Sequence, residues 1–293
     1  MEKYEFSRCV GEFIKFLERN YYSNDTVDGY KKDLYFFRNY MVKTLQKDHF
    51  LMTEITKDKL LSFMDYGRHV GHRVNTIARR ISTLKSFYKF LCYEKDYTED
   101  TAGMIRVPKT YIPLPTILSE KEVDKLLISA ETLDLKYRLL FSVMYFTGSR
   151  LTAARMIKRE NISLERGFLY FSKIKGGRDL YVPLHSQLKI IFERYFHQND
   201  VYKGEYIFKS SKLKDRPISA SDVRKKLKIA AKMAGIQNCV TPHLLRHCTA
   251  THLTINQVPQ IEIASILGHA DLRSTMRYQH LSVEHLRGAI DTL

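Results

Sequence analysis

Cysteine is scarce in this chain and acidic residues are in deficit. The four thiols, Cys9, Cys92, Cys239 and Cys248, form no C-x-x-C pair, which speaks against a disulfide framework and fits a reducing cytoplasm with structural thiols. No apolar run approaches the roughly 18 residues that a membrane-spanning helix needs. The first residues, MEKYEFSRCVGEFIKF, interleave charges with apolar side chains, so no signal peptide is expected. There is no internal repeat and no low-complexity segment. A soluble, cytoplasmic protein is expected. The acid deficit, 32 Asp and Glu against 48 Lys and Arg, leaves a net charge of +16. A surplus of that size suits a polyanion, above all nucleic acid, because each neutralised phosphate releases condensed counterions.

What is present reads as two domains. From Glu5 to Tyr97 apolar residues recur at three- and four-residue steps, which predicts four amphipathic helices. The first carries Phe6, Val10, Phe13, Ile14 and Leu17; the second, capped within Ser23–Thr26, carries Tyr30, Leu34, Phe37 and Met41. Thr56 is expected to cap a third helix bearing Leu60, Leu61 and Met64, ending near Gly67 to Gly71. The fourth begins around Asn75 and carries Ile77, Ile81, Leu84, Phe87, Tyr88 and Leu91. Gly103, Pro108, Pro113 and Pro115 then interrupt the periodicity, as in an interdomain linker. Beyond it, Ser119 and Glu122 form a capping-box signature, and LDLKYRLLFSVMYFTG predicts a buried helix ending at Thr147–Gly148. A hairpin with a Gly176–Gly177 turn is expected over 168–183, with a short strand near Asn161. Helices follow over His185–His197 and Ser221–Met233, then onward to the end. The expected fold is mainly α with a small antiparallel β-sheet. Its parts are an N-terminal helical domain over 1–100, a linker over 101–116 and a second domain over 117–293.

The chemistry concentrates in Thr241–Leu281, which gathers Arg and His beside one tyrosine and holds only Glu262 and Asp271 as acids. His243, Arg246 and His247 fall at helical spacing and can share one face. H-x-x-x-H is half a zinc site, but Leu244 stands where a zinc protease has its Glu, and no carboxylate or thiolate obviously completes a shell. No metal is expected, and a two-metal nuclease is disfavoured on the same ground. An anion suits the stretch better, since guanidinium forks match pairs of phosphate oxygens and stabilise charge developing at phosphorus. Lys175, beside the Gly-Gly turn, is placed where a mobile ammonium can protonate a leaving oxygen. Tyr278 is the candidate nucleophile, because a phenol with a pKa of about 10 needs such cations to attack as phenolate. In the N-terminal half, Arg73, Arg79, Arg80 and Lys85 cluster with Arg68, His69, His72 and Lys89, marking a surface for DNA.

These segments together resemble the tyrosine recombinases. TGSR ending at Arg150 resembles the family's first arginine motif, KGGR at Lys175 its hairpin lysine, and HLLRH its H-x-x-R box with His243 and Arg246. LGHA supplies His269, and MRYQHLS supplies Tyr278 nine residues on. TIARRISTLKSFYKFL resembles the last helix of the core-binding domain in Xer-type members, so the resemblance covers almost the whole chain. It implies a two-domain clamp on double-stranded DNA that shares its catalytic fold with type IB topoisomerases. Tyr278 would form a 3′-phosphotyrosyl link, Arg150 and Arg246 would hold the nonbridging oxygens, and His243 and His269 would assist. Lys175 would be the general acid, with no cofactor. It further implies a homotetramer or heterotetramer on two DNA sites, with the C-terminal SVEHLRGAI docking on a neighbouring protomer. Two departures stand out: Ala153 replaces the acid usual three residues after the first arginine, and Ser149 replaces a commoner apolar residue. The chain opens directly on the core-binding helices, as in simple-site members without an arm-binding domain. The alternative on the same scaffold is a catalytically silent DNA-binding protein.

Overall fold

The computed structural model describes residues 4–109, 116–174, 178–213 and 215–268. Its contacts divide into two compact units, Met1–Pro113 and Leu114–Leu293. The described elements are predominantly helical, with one three-stranded antiparallel sheet.

The first unit contains α1 (Phe6–Arg19), α2 (Asn24–Leu45), α3 (Lys57–His69) and α4 (Val74–Lys95). Local capping sets three of the starts. Glu5, Ser23 and Thr56 accept from the backbone N–H groups of Arg8, Thr26 and Lys59, satisfying donors that the first helical turn leaves orphaned. The core is aromatic: Phe6 stacks on Phe50 at 4.9 Å, Phe37 meets Phe63 edge-on at 4.9 Å, and Phe13 packs on Phe87 at 5.5 Å. Such pairs add directional preference to the area term, about 0.5–1.5 kcal/mol each.

Two details differ from the sequence reading. The buried stripe of α3 runs through Leu60, Phe63 and Gly67 while Leu61 is exposed, because α3 turns its Phe63 face to α2. The start of the expected linker belongs to this core, since Ala102 and Ile105 are buried within it beside Tyr97.

A charged network crosses the α2–α4 contact. The Asp33 carboxylate, 2 % exposed, pairs with Arg79, accepts from the Thr83 hydroxyl at 3.0 Å and faces Arg80 Nε at 3.6 Å. Arg80 also lies over the Phe36 ring at 3.5 Å and donates from Nη1 to His72 Nδ1 at 2.8 Å. Burial, then the neighbouring Arg80 charge, hold His72 below its ordinary value.

The second unit is built around α6 (Leu135–Thr147), which is buried over most of its length. It packs against α5 (Glu120–Glu131), α8 (Ser186–Gln198), α9 (Ala220–Met233) and α10 (Pro242–Ile255). Ser119 and Glu122 close a reciprocal capping box on α5, at 3.3 and 2.8 Å. The short α7 (Leu151–Arg155) follows Arg150, and α11 (Gln260–Leu267) follows α10. Strands β1 (Ile162–Ser163), β2 (Phe168–Ile174) and β3 (Arg178–Pro183) lie in the order β1-β2-β3. Leu169, Phe171 and Val182 are buried in the core of this unit. Among the described residues, no helix is long and apolar enough to cross a membrane.

Removing the Asp33 carboxylate leaves the Arg80 guanidinium, whose side chain is 12 % exposed, without its anion. Breaking such a pair from one side costs about 3 kcal/mol. Asp33→Ala is therefore expected to lower amide protection in α2 and α4 by roughly 100-fold in hydrogen-exchange mass spectrometry. Unchanged protection would show that the network is incidental to the domain.

Candidate active site

Three segments of the second unit meet at one guanidinium. Arg246 sits in the second turn of α10, which Pro242 and the Thr241 cap start: the Thr241 hydroxyl accepts from Leu244 N at 3.2 Å. Its side chain turns inward, leaving the residue 7 % exposed. Nη1 donates to the carbonyl of Gly148 at 2.7 Å and Nη2 to that of Leu267 at 2.9 Å. Those carbonyls belong to the residue that ends α6 and the last residue of α11, so one planar cation ties the TGSR and ILGH segments to α10. Gly148 is required by geometry as well as by its φ of +59°, since a Cβ there would lie 2.2 Å from Leu267 Cδ2.

The rest of the junction is closed by hydroxyl groups. Thr147 Oγ1 donates to the Val143 carbonyl at 2.6 Å and accepts from Ser149 N at 3.2 Å, which sharpens the exit from α6. Thr249 Oγ1 lies 2.5 Å from the Tyr145 carbonyl and 3.0 Å from that of Leu245. His252, one of the imidazoles of the rich stretch, is buried and structural. Its Nε2 faces the Leu118 carbonyl at 2.9 Å and so must donate, leaving Nδ1 to accept the Tyr145 hydroxyl at 2.8 Å. Burial raises the Tyr145 phenol above its ordinary value, keeping that proton in place.

Arg150 occupies the N-cap position of α7 with extended backbone and is half-buried. Ala153, three residues on, packs partly against the core. Among the described residues, no carboxylate lies within ion-pair distance of Arg150. His243 lies in the first turn of α10 at the surface, where its neighbours still desolvate it in part. That partial desolvation holds it below the ordinary histidine value, and the charges of Arg246, Arg150 and Arg224 push it the same way. The structure thus brings Arg150, His243 and Arg246 together and adds Arg224, a cation of α9. Such a cluster favours a neutral imidazole and a bound anion. Among the described residues, no group of three His, Cys, Asp or Glu side chains that could hold a metal ion is present. Lys175, His269 and Tyr278 lie outside the described residues.

In the first unit, the four basic residues singled out from sequence diverge. Arg73, at the N-cap of α4, and Arg79 are exposed, whereas Arg80 is taken up by the Asp33 network and Lys85 donates to the Gly103 carbonyl at 3.2 Å.

The His243 environment fixes a sign. Its lowered value means that the folded chain resists a proton that the unfolded chain takes up, so stability rises with pH across the interval from that value to the ordinary 6.5. An NMR titration should find His243 titrating below free histidine, and its midpoint should rise when a DNA phosphate neutralises the neighbouring cations. A midpoint at or above that of free histidine in the unliganded protein would contradict this placement.

Residues 116–285 match the Phage integrase family, and residues 10–95 match the Phage integrase N-terminal SAM-like domain. The chain is 31% identical over 294 residues to the tyrosine recombinase XerD of Oceanobacillus iheyensis, covering 95% of each protein. It is 30% identical over 291 residues to the tyrosine recombinase XerA of Pyrococcus furiosus, covering 99% of this chain and 95% of that one. Its fold is similar to the lambda integrase tetramer bound to a Holliday junction, with a TM-score of 0.76 at 20% identity over 94% of this chain and 77% of that one. With an N-terminal helical SAM-like domain, a second domain whose Arg150, His243 and Arg246 converge, and Xer-type relatives along almost its whole length, the chain belongs to the phage integrase family of tyrosine recombinases.

Proposed function

We propose that the protein is a site-specific DNA recombinase that cleaves and rejoins strands through a 3′-phosphotyrosyl intermediate on Tyr278. The observation that carries this reading is the convergence of Arg150 and Arg246 on His243, with no carboxylate beside Arg150 among the described residues. Two guanidinium groups in that setting stabilise the added charge on the nonbridging oxygens as phosphorus becomes five-coordinate. The phenolate of Tyr278 attacks phosphorus, the bond from phosphorus to the 5′ oxygen breaks, and Lys175 supplies the proton that the departing oxygen needs. His243 is kept neutral and so can accept the phenol proton or a hydrogen bond, and His269 assists from the segment that follows Leu267. Attack by a 5′ hydroxyl on the phosphotyrosyl bond reverses the step, so neither ATP nor a metal is consumed.

On this reading the partner is a double-stranded recombination site. Arg73 and Arg79 face DNA from the N-terminal domain, while Arg80 and Lys85 support that surface from behind. The working assembly is a homotetramer or heterotetramer on two sites, with the SVEHLRGAI segment docking on a neighbouring protomer, acting in a cytoplasm where DNA is accessible. A catalytically silent DNA-binding protein would need none of the His243 environment.

The test uses a nicked suicide duplex carrying the sequence that the protein enriches from a randomised library, incubated in EDTA. A covalent protein–DNA adduct is expected with the wild-type chain, and Tyr278→Phe should abolish it while leaving DNA binding within about twofold. An adduct that persists in Tyr278→Phe, or that requires a divalent cation, would refute the mechanism.

A further inference from the structure

The exposed stripe of α4 is unusual in its side-chain lengths. Asn75, Arg79, Ser82 and Ser86 follow at four- and three-residue steps and share one face of the helix. The two serine hydroxyls are turned back onto their own helix, the exposed Ser82 to the Ala78 carbonyl at 3.0 Å and the half-buried Ser86, which also accepts from the Tyr30 hydroxyl at 3.5 Å, to the Ser82 carbonyl at 3.1 Å. Between Asn75 and Ser86 on this face, Arg79 is therefore the one long hydrogen-bonding side chain, on a stretch short enough to approach another surface closely. Arg73 stands exposed just ahead of it, with Arg68 paired to Asp65 nearby, so the approach carries the positive charge of Arg73.

Arg79 itself is held in a particular way. Its side chain is 54 % exposed, yet Nη1 is bonded to a carboxylate that is 2 % exposed. That carboxylate is fixed in turn by the Thr83 hydroxyl and by Arg80, whose guanidinium is clamped between the Phe36 ring and His72. For a phosphate contact this arrangement is poor design. A pair of phosphate oxygens also fits a guanidinium fork, but that contact draws on net charge, which the Asp33 carboxylate partly offsets. What a buried, immobile acceptor supplies is orientation: it removes rotamer freedom from an outward-facing planar fork of donors. Such a fork matches two acceptors in one plane, and among base edges in the major groove that pair is O6 and N7 of guanine. We propose that Arg79, oriented by Asp33, reads one guanine of the DNA site through the major groove. This rests on the recombinase reading above and adds to it the residue that sets one position of the site.

The test compares the full-length wild-type chain with Arg79→Lys, which keeps the charge beside Asp33 and removes the fork. Each is used to enrich duplexes from a randomised library at matched occupancy, followed by sequencing. The wild-type motif is expected to contain a guanine whose preference falls by roughly tenfold or more in the lysine variant, with the other positions unchanged. A second arm depends on no variant: replacing that guanine by 7-deazaguanine, which lacks the N7 acceptor, should weaken wild-type binding by about tenfold. A motif identical in both proteins, a loss spread evenly over all positions, or indifference to 7-deazaguanine would each overturn the assignment while leaving the recombinase reading standing. A wild-type chain that enriches no motif would overturn both.

Discussion

The two hydrogen bonds from Arg246 to the carbonyls of Gly148 and Leu267 are the constraint on which the catalytic domain's site depends. Neither carbonyl can be reached from the other by a short path along the chain, and both end a helix whose last carbonyls need donors. A guanidinium offers both bonds in one plane and keeps its charge when buried, which an ammonium on a flexible stem does not. The consequence is positional. Arg150 is two residues after Gly148, and His269 is two residues after Leu267, so the cation that belongs to one motif fixes where the other two begin. Gly148 is part of the same constraint, because any side chain there would collide with Leu267 and push the segments apart.

Charge is distributed in opposite ways in the two domains. In the N-terminal domain a buried carboxylate, Asp33, organises two successive arginines, sending Arg80 inward and holding Arg79 outward. In the catalytic domain Ala153 stands where relatives of this family commonly carry an acid, and among the described residues Arg150 has no carboxylate beside it. The first arrangement spends attraction for anions on orientation. The second leaves attraction uncompensated, and it is felt by His243, which three nearby cations help keep neutral. One arrangement suits recognition of a defined partner edge, the other a phosphate in transit through a more highly charged state.

Much of this was legible in the sequence because it depends on local rules. The caps at Ser23, Thr56 and Ser119, the end of α6 at Gly148 and the hairpin strands follow from residue types within a few positions of each other. The site motifs were legible for the same reason, as short ordered patterns. What escaped depends on the third dimension. Spacing alone cannot tell Leu61 from Phe63 on α3; the neighbour α2 decides which is buried. The stretch that carries Ala102 and Ile105 lacks periodicity and so looks like linker, yet it closes the N-terminal core. Arg79 and Arg80 are adjacent letters, and only Asp33, 46 residues before Arg79, separates their roles. His252 looked like one more imidazole in a rich stretch until Leu118 and Tyr145 proved to bracket it. Arg224 had no motif at all; the signal that could have found it is an exposed cation just after the Ser219 cap of α9.

The proposed mechanism depends above all on which atom takes the DNA strand. Nineteen tyrosines are available in the chain, and the cation cluster selects one only through the order of the motifs around it. Trypsin digestion of the covalent adduct, followed by mass spectrometry, reads the answer directly. The DNA-bearing peptide should be Tyr278–Arg287, released by cleavage after Arg277, with the nucleotide mass on its first residue. Recovery of the nucleotide on any other peptide would contradict the account.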